Sequence, residues 1–315
     1  MPSSKLVERF SHAVNRLLPD FRHNDEIMGL AVSGGPDSLA LLLLANLAFP
    51  KRIAAATIDH GLRPEAAAEA RFVATICAKK NIPHQIFRPT LPISGNVQSV
   101  ARQVRYELLH DWMKRDSIHW LATAHHADDQ LETMIMRLLR GSGVDGLSGI
   151  REKRGEIIRP LLHFQKTELE QYIADQGIQA IDDPSNHNPS YDRVRVREAL
   201  KGLIGFDSTL ASQSGAALND ARDALEWITS ELADSHIEHT FSACTLKKTD
   251  FPHEVRRRLL LKCLQICDPS LSPRGAQIDQ TLQALDRGET VTLGNLLCKG
   301  GAHWSFEPAP KRRNH

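Results

Sequence analysis

The chain has 315 residues, of which 41% are hydrophobic and 24% are charged, and its formal net charge is +1. This composition allows two folded domains, and it excludes a globally disordered chain and a uniformly polycationic surface. A nucleic-acid partner would therefore have to bind local basic patches. The five cysteines, an odd number with no Cys-x-x-Cys pair, argue against a disulfide framework and a zinc ribbon. We expect neither a zinc site nor an iron–sulfur site.

The N-terminal sequence has no signal-peptide pattern, and the apolar run at residues 39–49 is 11 residues long. A helix that crosses a bilayer needs about 20 apolar residues. We therefore expect a cytoplasmic protein with reduced thiols and no membrane partner. The sequence leaves the oligomeric state open, with a homodimer among the alternatives.

Patterns typical of strands and of helices alternate over the first 140 residues. The strand patterns lie at residues 27–33, 53–59, 84–87 and 119–124. The helical patterns lie at residues 38–47, 64–80, 98–115 and 128–139. This alternation predicts an α/β fold with a parallel sheet, helices on both of its faces, and a ligand site at the carboxyl ends of the strands.

The sequence beyond residue 205 has a different character. Glycines at residues 202 and 205 end the α/β region, which also contains a strand pattern at 157–161 and a helical pattern at 167–176. Helical patterns follow at 210–232, 253–266 and 275–285, and a short β-like run follows at 290–297. We predict an α/β catalytic domain at residues 1–205 and a smaller, mainly helical domain at residues 206–315.

The most informative stretch is the turn between the first strand and the first helix of the predicted sheet. Its residues are Ser33, Gly34, Gly35, Pro36, Asp37 and Ser38. Two glycines let the backbone approach a ligand closely, and the helix start directs N–H groups and a positive dipole at that ligand. The carboxylate of Asp37 is suited to holding Mg²⁺ against a phosphate. The turn therefore indicates a nucleotide site, with a serine-capped strand–turn–helix as the plain structural alternative.

A second polar cluster follows the strand pattern at 119–124. Asp129 and Glu132 are three residues apart and share a face in the first turn of a helix. Such a pair would bind an ammonium group or Mg²⁺, although acidic residues are also common at helix N-termini. His125 is a candidate hydrogen-bonding or proton-transfer group facing the ligand. For His126, a buried and satisfied side chain is an equal alternative.

Arginines recur at helical or strand spacing in two places. Arg102 and Arg105 share a face of a helical pattern, where they would bind phosphate oxygens or form a solvated face. Arg193, Arg195 and Arg197 alternate with valines. These three would form a stripe if the segment is extended or a fan if it is helical, and either arrangement suits a polyanionic backbone.

The order of these motifs resembles that of the tRNA(Ile)-lysidine synthetases, which belong to the PP-loop N-type ATP pyrophosphatases. The resemblance covers residues 25–205 through SGGPDS, IDHGLRPE, ARQVRYELL, HHADDQLET, RLLRGSGVDGL, IIRPLL and DDPSN. It implies an adenine nucleotide α-hydrolase-like fold. Members of this family attach lysine to C2 of the wobble cytidine in a CAU anticodon: ATP adenylates the C2 oxygen and releases pyrophosphate, and the ε-amine of lysine then displaces AMP.

The resemblance also implies roles for the motif residues. Residues Ser33–Ser38 would bind ATP, with Asp37 holding Mg²⁺, while Asp129 and Glu132 would bind L-lysine. Arg105 would assist at a phosphate or at the activated base, and His125 or a carboxylate would help deprotonate the amine. The arginines at 193, 195 and 197 would contact tRNA(Ile), although many members have an Arg-Asn-Arg core in this region. The second domain would also contact tRNA.

Three other functions remain as alternatives. A PP-loop tRNA thiolase generally needs paired cysteines near its site, whereas Cys77 is the only cysteine within the region of resemblance. An amidotransferase-type synthetase would need a glutaminase motif with a nucleophilic cysteine, and none is evident. A non-enzymatic tRNA-binding protein would be expected to have a degenerate site, yet Asp37, Asp129 and Glu132 are all present.

Overall fold

The computed structural model describes residues 2–61, 64–89, 97–182, 188, 190, 192–201, 207–240 and 242–310. The chain forms two compact units, Met1–Asn219 and Asp220–His315. They divide inside a long helix, α9 (Ser208–His236). The domain boundary predicted at residues 202–205 lies outside the described residues. The assignment of catalysis to the first domain and of tRNA contact to the second stays a prediction.

Six strands form the sheet of the first unit. In chain order they are β1 (Met28–Ala31), β2 (Ile53–Ile58), β3 (His84–Phe87), β4 (Trp120–Ala122), β5 (Lys153–Arg154) and β6 (Ile157–Ile158). Their order across the sheet is β3-β2-β1-β4-β6-β5. All the neighbouring pairs are parallel except β5 with β6. The predicted α/β fold with a mainly parallel sheet is therefore confirmed.

Helices cover both faces of this sheet. They are α1 (Pro2–Leu17), α2 (Pro36–Ala48), α3 (Ala66–Lys79), α4 (Val97–Arg115), α5 (Ala127–Leu138), α6 (Val144–Leu147), α7 (Lys166–Asp175) and α8 (Asp192–Lys201), with a short 3-10 helix at Pro19–Arg22. Residues of α1, α2, α3 and α7 pack in the larger core on one face, and α4 packs against the other. Within the described ranges, no helix is long and apolar enough to cross a membrane.

Helix α2 is the central helix of the larger core. All its residues from Ser38 to Ala45 are buried, so its apolar surface runs around the whole helix instead of along one stripe. A helix with that pattern is stable only when it is enclosed, and α1, α7 and the sheet enclose it. The loop before α2 is thereby fixed at the carboxyl end of β1.

The second unit combines helices with an antiparallel sheet. Besides the end of α9 it contains α10 (His253–Cys267) and α11 (Gly275–Asp286). Its strands are β7 (Ile237–His239), β8 (Cys244–Leu246), β9 (Thr290–Leu293), β10 (Leu296–Lys299) and β11 (Trp304–Pro308), in the order β7-β8-β11-β10-β9. The β-like run predicted at 290–297 corresponds to β9 and the start of β10. The sequence analysis did not predict the other three strands: β7 and β8 have three residues each, and β11 has five with alternating burial.

An ion-pair network ties α1 to the edge of the parallel sheet. The Glu152 carboxylate accepts hydrogen bonds from Arg16 Nη1 at 2.8 Å and contacts His163 Nε2 at 2.6 Å. Burial would raise the pKa of Glu152, but the His163 and Arg16 hydrogen bonds prevail and lower it to about 2. The ionised carboxylate therefore stabilises the folded state.

We predict that Glu152→Gln lowers the free energy of unfolding by about 1–2 kcal/mol at pH 7. Because the folded pKa is depressed, this stabilisation is complete above the unfolded pKa of about 4.3 and is lost as the pH falls toward 2. Urea unfolding at pH 7 and at pH 3 checks this. The control is Glu156→Gln, because Glu156 is exposed and its loss should cost less than about 0.5 kcal/mol. A Glu152→Gln deficit that is the same at both pH values would contradict the account.

Candidate active site

The strand order places two loops side by side at the carboxyl edge of the sheet. Strand β1 pairs with β2 on one side and with β4 on the other. The chain leaves β1 through the loop at residues 32–35, and it leaves β4 through residues 123–126. Such a topological switch point is where open α/β sheets bind their ligands. Two of the polar clusters predicted from the sequence meet here.

Gly34 sets the shape of the first loop. Its φ is +94°, a conformation that side chains disfavour, and a Cβ at this position would lie 2.6 Å from Ile181 Cδ1. The Gly34 carbonyl also accepts a 3.0 Å hydrogen bond from the Ile181 N–H. Gly35 differs, since its φ is −71° and the nearest atom to its Cβ, the Ile181 carbonyl oxygen, is 3.8 Å away. The second glycine is therefore not required by the fold, and it leaves space beside the backbone.

Ser38 holds the same loop from inside. Its buried hydroxyl accepts hydrogen bonds from the N–H groups of Ser33 and Gly34, both at 3.1 Å, and donates to the Gly35 carbonyl at 3.0 Å. Ser33 Oγ lies 3.2 Å from Ser38 Oγ. Ser38 thus shapes the loop, while the exposed Ser33 hydroxyl remains available at its surface.

His126 connects the two loops. Its Nε2 lies 3.5 Å from Asp37 Oδ2, in the first turn of α2 directly after the first loop, and 3.5 Å from Asp129 Oδ2, on α5. Its side chain also caps α5: Nδ1 accepts a hydrogen bond from the Asp129 N–H at 3.4 Å, and Asp129 Oδ2 accepts one from the His126 N–H at 3.1 Å. A proton on Nε2 therefore faces both carboxylates.

The carboxylates around His126 favour its protonated, positively charged form. Burial would lower the pKa of His126, but Asp129, Asp37 and Asp128 outweigh burial and raise it. Burial would likewise raise the pKa of Asp129, but His126 and Arg193 hold it below its usual range. Asp129 is consequently a carboxylate at neutral pH. The sequence left His126 open, with a buried and satisfied side chain as an equal alternative. The signal for its contacts is its position three residues before Asp129, as in a capping box.

His125 lies in a different environment from His126. Its Nδ1 is 2.9 Å from Thr123 Oγ1. Burial, followed by the positive charges of Arg159, Arg102 and Arg193, lowers the pKa of His125 to about 4. The imidazole is therefore neutral at physiological pH and can accept a hydrogen bond or a proton.

Glu132 is buried and paired inside the protein. Arg193 Nε donates to Glu132 Oε2 at 2.8 Å, and Arg197 Nε donates to Glu132 Oε1 at 2.6 Å. Because α8 is helical, these two arginines share one face. Arg195 lies elsewhere on the helix, is exposed and pairs with Asp192. Because the segment is helical and not extended, the three arginines fan out around α8 and do not form a stripe. The lysine and tRNA assignments of these residues stay predictions.

Arg105 approaches the site from α4. Its Nε is buried and has no hydrogen-bond partner among the described residues, and the same holds for His60 Nδ1, just after β2. Burial is the largest cause that lowers the pKa of each group, and the charge of Arg105 lowers that of His60 further. Arg105 is therefore close enough to His60, at the carboxyl end of β2, for its charge to act on that imidazole.

Asp37 has an oxygen that the protein leaves unsatisfied. Its Oδ1 is buried without a hydrogen-bond partner among the described residues. A carboxylate oxygen of this kind, beside a phosphate-binding loop, fits a Mg²⁺ ligand, since Mg²⁺ usually takes one or two carboxylates together with substrate phosphates. No cluster of three or more potential ligand residues capable of holding a metal occurs in the described part of the chain.

The fold and the site define a PP-loop protein. The PP-loop domain family matches residues 3–203. The U34-tRNA thiolase NcsA from Methanococcus maripaludis has a similar structure, with a TM-score of 0.57, 18% identity, and coverage of 69% of this chain and 79% of that chain. At that identity the similarity shows the shared fold alone.

Similar proteins with a named function identify the family within the PP-loop proteins. The tRNA(Ile)-lysidine synthase of Zymomonas mobilis is 39% identical over 91% of this chain and 89% of the relative. That of Novosphingobium aromaticivorans is 37% identical over 98% and 97%. The chain therefore belongs to the tRNA(Ile)-lysidine synthase family, which confirms the resemblance seen in the sequence. It is a tRNA-modifying ligase that binds ATP through its PP-loop.

The two loop glycines should respond differently to alanine. Gly34→Ala forces a side chain into a positive φ and against Ile181, so we expect a loss of about 1–3 kcal/mol in the free energy of unfolding. Gly35→Ala should leave stability within about 0.5 kcal/mol of wild type but weaken ATP binding, because its Cβ would occupy the approach to the backbone. Thermal unfolding and ATP titration check both variants. Equal stability losses would contradict this division of roles.

Proposed function

We propose that this enzyme attaches L-lysine to C2 of the wobble cytidine of CAU-anticodon tRNA(Ile). ATP would adenylate the C2 oxygen and release pyrophosphate, and the ε-amine of lysine would then displace AMP. The observation that carries this proposal is the 3.5 Å approach of His126 Nε2 to both Asp37 and Asp129. A nucleotide loop and a buried carboxylate suited to an amine are thereby adjacent.

For the first step, the loop at Ser33–Ser38 would bind the phosphates of ATP. Charge builds up on the α-phosphate and on the leaving pyrophosphate, so fixed N–H donors and a cation there lower the barrier. Mg²⁺, held by Asp37, would supply that cation. The unsatisfied Asp37 Oδ1 supports this assignment.

For the second step, Asp129 is the better supported of the two lysine ligands. Its pKa is held low, so it offers a negative charge to the ammonium group. Both oxygens of Glu132 already accept hydrogen bonds from Arg193 and Arg197. Lysine would contact Glu132 only if these guanidinium groups move, which contact with tRNA phosphates could bring about. Glu132 would then exchange one cation for another.

The proton of the amine needs an acceptor. A free ε-amine has a pKa of about 10.4, whereas that of His125 is about 4, so His125 cannot deprotonate free lysine to a useful extent. Once nitrogen has bonded to carbon its proton becomes far more acidic. The ammonium group must first lose one proton, to Asp129 or to solvent, because only the neutral amine has a lone pair that can attack C2. We propose that His125 accepts the second proton, which the nitrogen still carries after its bond to C2 has formed and AMP has left.

The remaining partners are also part of the proposal. Arg105, whose Nε is buried without a partner among the described residues, would contact a phosphate or the activated base. The exposed Arg195 would contact the tRNA backbone, together with Arg193 and Arg197 once these leave Glu132. We place the enzyme in the cytoplasm, where tRNA is modified, and we propose a homodimer as one assembly to be tested by light scattering.

Incorporation of radiolabelled lysine tests the proposed reaction. The wild-type enzyme should label a tRNA(Ile) transcript with a CAU anticodon only when ATP and Mg²⁺ are present. A transcript with a changed wobble base is the matched control and should remain unlabelled. Pyrophosphate release without labelling would leave the adenylation step in place but point to another nucleophile.

Asp129 and Glu132 should differ in their kinetic effects. We expect Asp129→Ala to raise the KM for lysine at least about 10-fold, the loss of one charge-assisted contact, with little change in the KM for ATP. We expect Glu132→Gln to reduce stability as well, because it removes a buried carboxylate from two guanidinium groups. Steady-state kinetics and thermal unfolding check both. An equal effect of Asp129→Ala on both substrates would remove it from the lysine pocket.

A further inference from the structure

Arg159 is a buried cation at the carboxyl end of β6. Its side chain is 7% exposed. Strand β6 pairs in parallel with β4, with Leu121 opposite Ile157 and Ala122 opposite Ile158, and the register then sets Arg159 beside Thr123. Thr123 Oγ1 contacts His125 Nδ1. Arg159 therefore lies next to the strand end that carries the candidate catalytic histidine.

The alternation of β6 directs Arg159 toward α4. Ile157 packs in the core beneath α4, and Ile158 packs in the larger core on the opposite face. The next residue, Arg159, returns to the α4 face. Its hydrogen bond with Tyr106, on α4, is consistent with this direction. The guanidinium of Arg159 thus lies on the α4 face of the sheet, near Tyr106.

The charge of Arg159 has no acidic partner among the described residues. Its Nη1 donates to the Arg151 carbonyl at 2.6 Å, and its Nε is buried without any hydrogen-bond partner there. Among the described residues, the two other buried arginines are each paired with a carboxylate: Arg222 with Asp223 at 2.7 Å, and Arg258 with Glu254 at 2.9 Å. A neutral carbonyl oxygen offsets the cost of burying a guanidinium charge less than a carboxylate would.

Neighbouring positive charges raise the free-energy cost of burying the Arg159 guanidinium. Burial is the largest cause that lowers the pKa of Arg159, and Arg102 and Arg154 lower it further. Arg159 in turn is one of the charges that keep His125 neutral. A guanidinium remains charged even so. A buried positive charge without a carboxylate partner has a lower free energy once an anion binds beside it.

We propose that Arg159, on the α4 face of the sheet, forms a phosphate-binding subsite separate from the Ser33–Ser38 loop. This rests on the proposed function, because the phosphate would belong either to the tRNA backbone at the reacting nucleotide or to the bound nucleotide. The planar guanidinium suits phosphate oxygens, and its unpartnered Nε–H is a donor ready for one of them. Ligand binding would supply the counter-charge that the protein lacks.

The test compares wild type with Arg159→Met, which keeps the length of the side chain but removes its charge. Two ligands are titrated separately: a CAU anticodon stem-loop RNA without ATP, at several salt concentrations, and ATP without RNA. Arg154→Met is the matched control, since it removes one exposed positive charge close by. Arg159→Lys, which keeps the charge without the planar fork, serves as a second variant.

If the phosphate is that of RNA, Arg159→Met should weaken stem-loop binding about 10-fold and lower the magnitude of the salt slope by about one. If it is that of the nucleotide, ATP binding should weaken about 10-fold instead. In either case the melting temperature of the free protein should stay the same or rise, because an unneutralised buried charge has been removed. Arg154→Met should change neither affinity by more than about 2-fold.

Unchanged binding of both ligands by Arg159→Met would overturn the subsite, as would weakened binding equal to that of Arg154→Met. If Arg159→Met does not fold, Arg159→Lys decides: weaker binding of one ligand with an unchanged salt slope supports the subsite, and wild-type affinity for both overturns it. Wild-type protein that binds neither ligand would instead defeat the proposed function together with this inference.

Discussion

One buried imidazole joins the two halves of the site, and the other assignments depend on that contact. His126 lies against Asp37, which follows β1, and against Asp129, which follows β4. The two carboxylates can share one histidine only because β1 and β4 are neighbours in the sheet. The enclosed helix α2 fixes the first loop, and the His126 cap fixes the start of α5. The loop before α2 and the start of α5 are therefore held side by side at one edge of the sheet.

Charge is separated across this edge. Carboxylates surround His126, while Arg102, Arg159 and Arg193 surround His125 and keep it neutral. Such separation would suit the proposed reaction, in which a cationic amine and a polyanionic RNA each meet the opposite charge. Between the two regions, Glu132 accepts hydrogen bonds from both Arg193 and Arg197, and its single charge offsets only part of theirs.

Much of the first unit could be predicted from the sequence, because apolar runs and glycine turns determine a parallel sheet locally. The strand at 84–87 coincides with β3, and the Ser33–Ser38 turn lies where predicted. The pairing of Glu132 with Arg193 and Arg197 was not predictable, since it depends on how α8 packs beside α5. The interpretation of His126 stayed open and Arg159 was missed for a similar reason: their contacts depend on residues from other parts of the chain. In the second unit, β7 and β8 have three residues each, too few for an alternation to be recognised. The alternation in β11 was present in the sequence and was missed.

The central claim is that one site performs both adenylation and lysine attachment, and a trapping experiment tests it most directly. Labelled CAU tRNA is first incubated with enzyme and ATP without lysine. Lysine is then added together with a large excess of unlabelled CAU tRNA, and lysidine in the labelled tRNA is measured. The account predicts that most of the bound labelled tRNA becomes lysidine-modified before it dissociates. Exchange of the labelled tRNA with the competitor before any lysine is attached would contradict a single shared site.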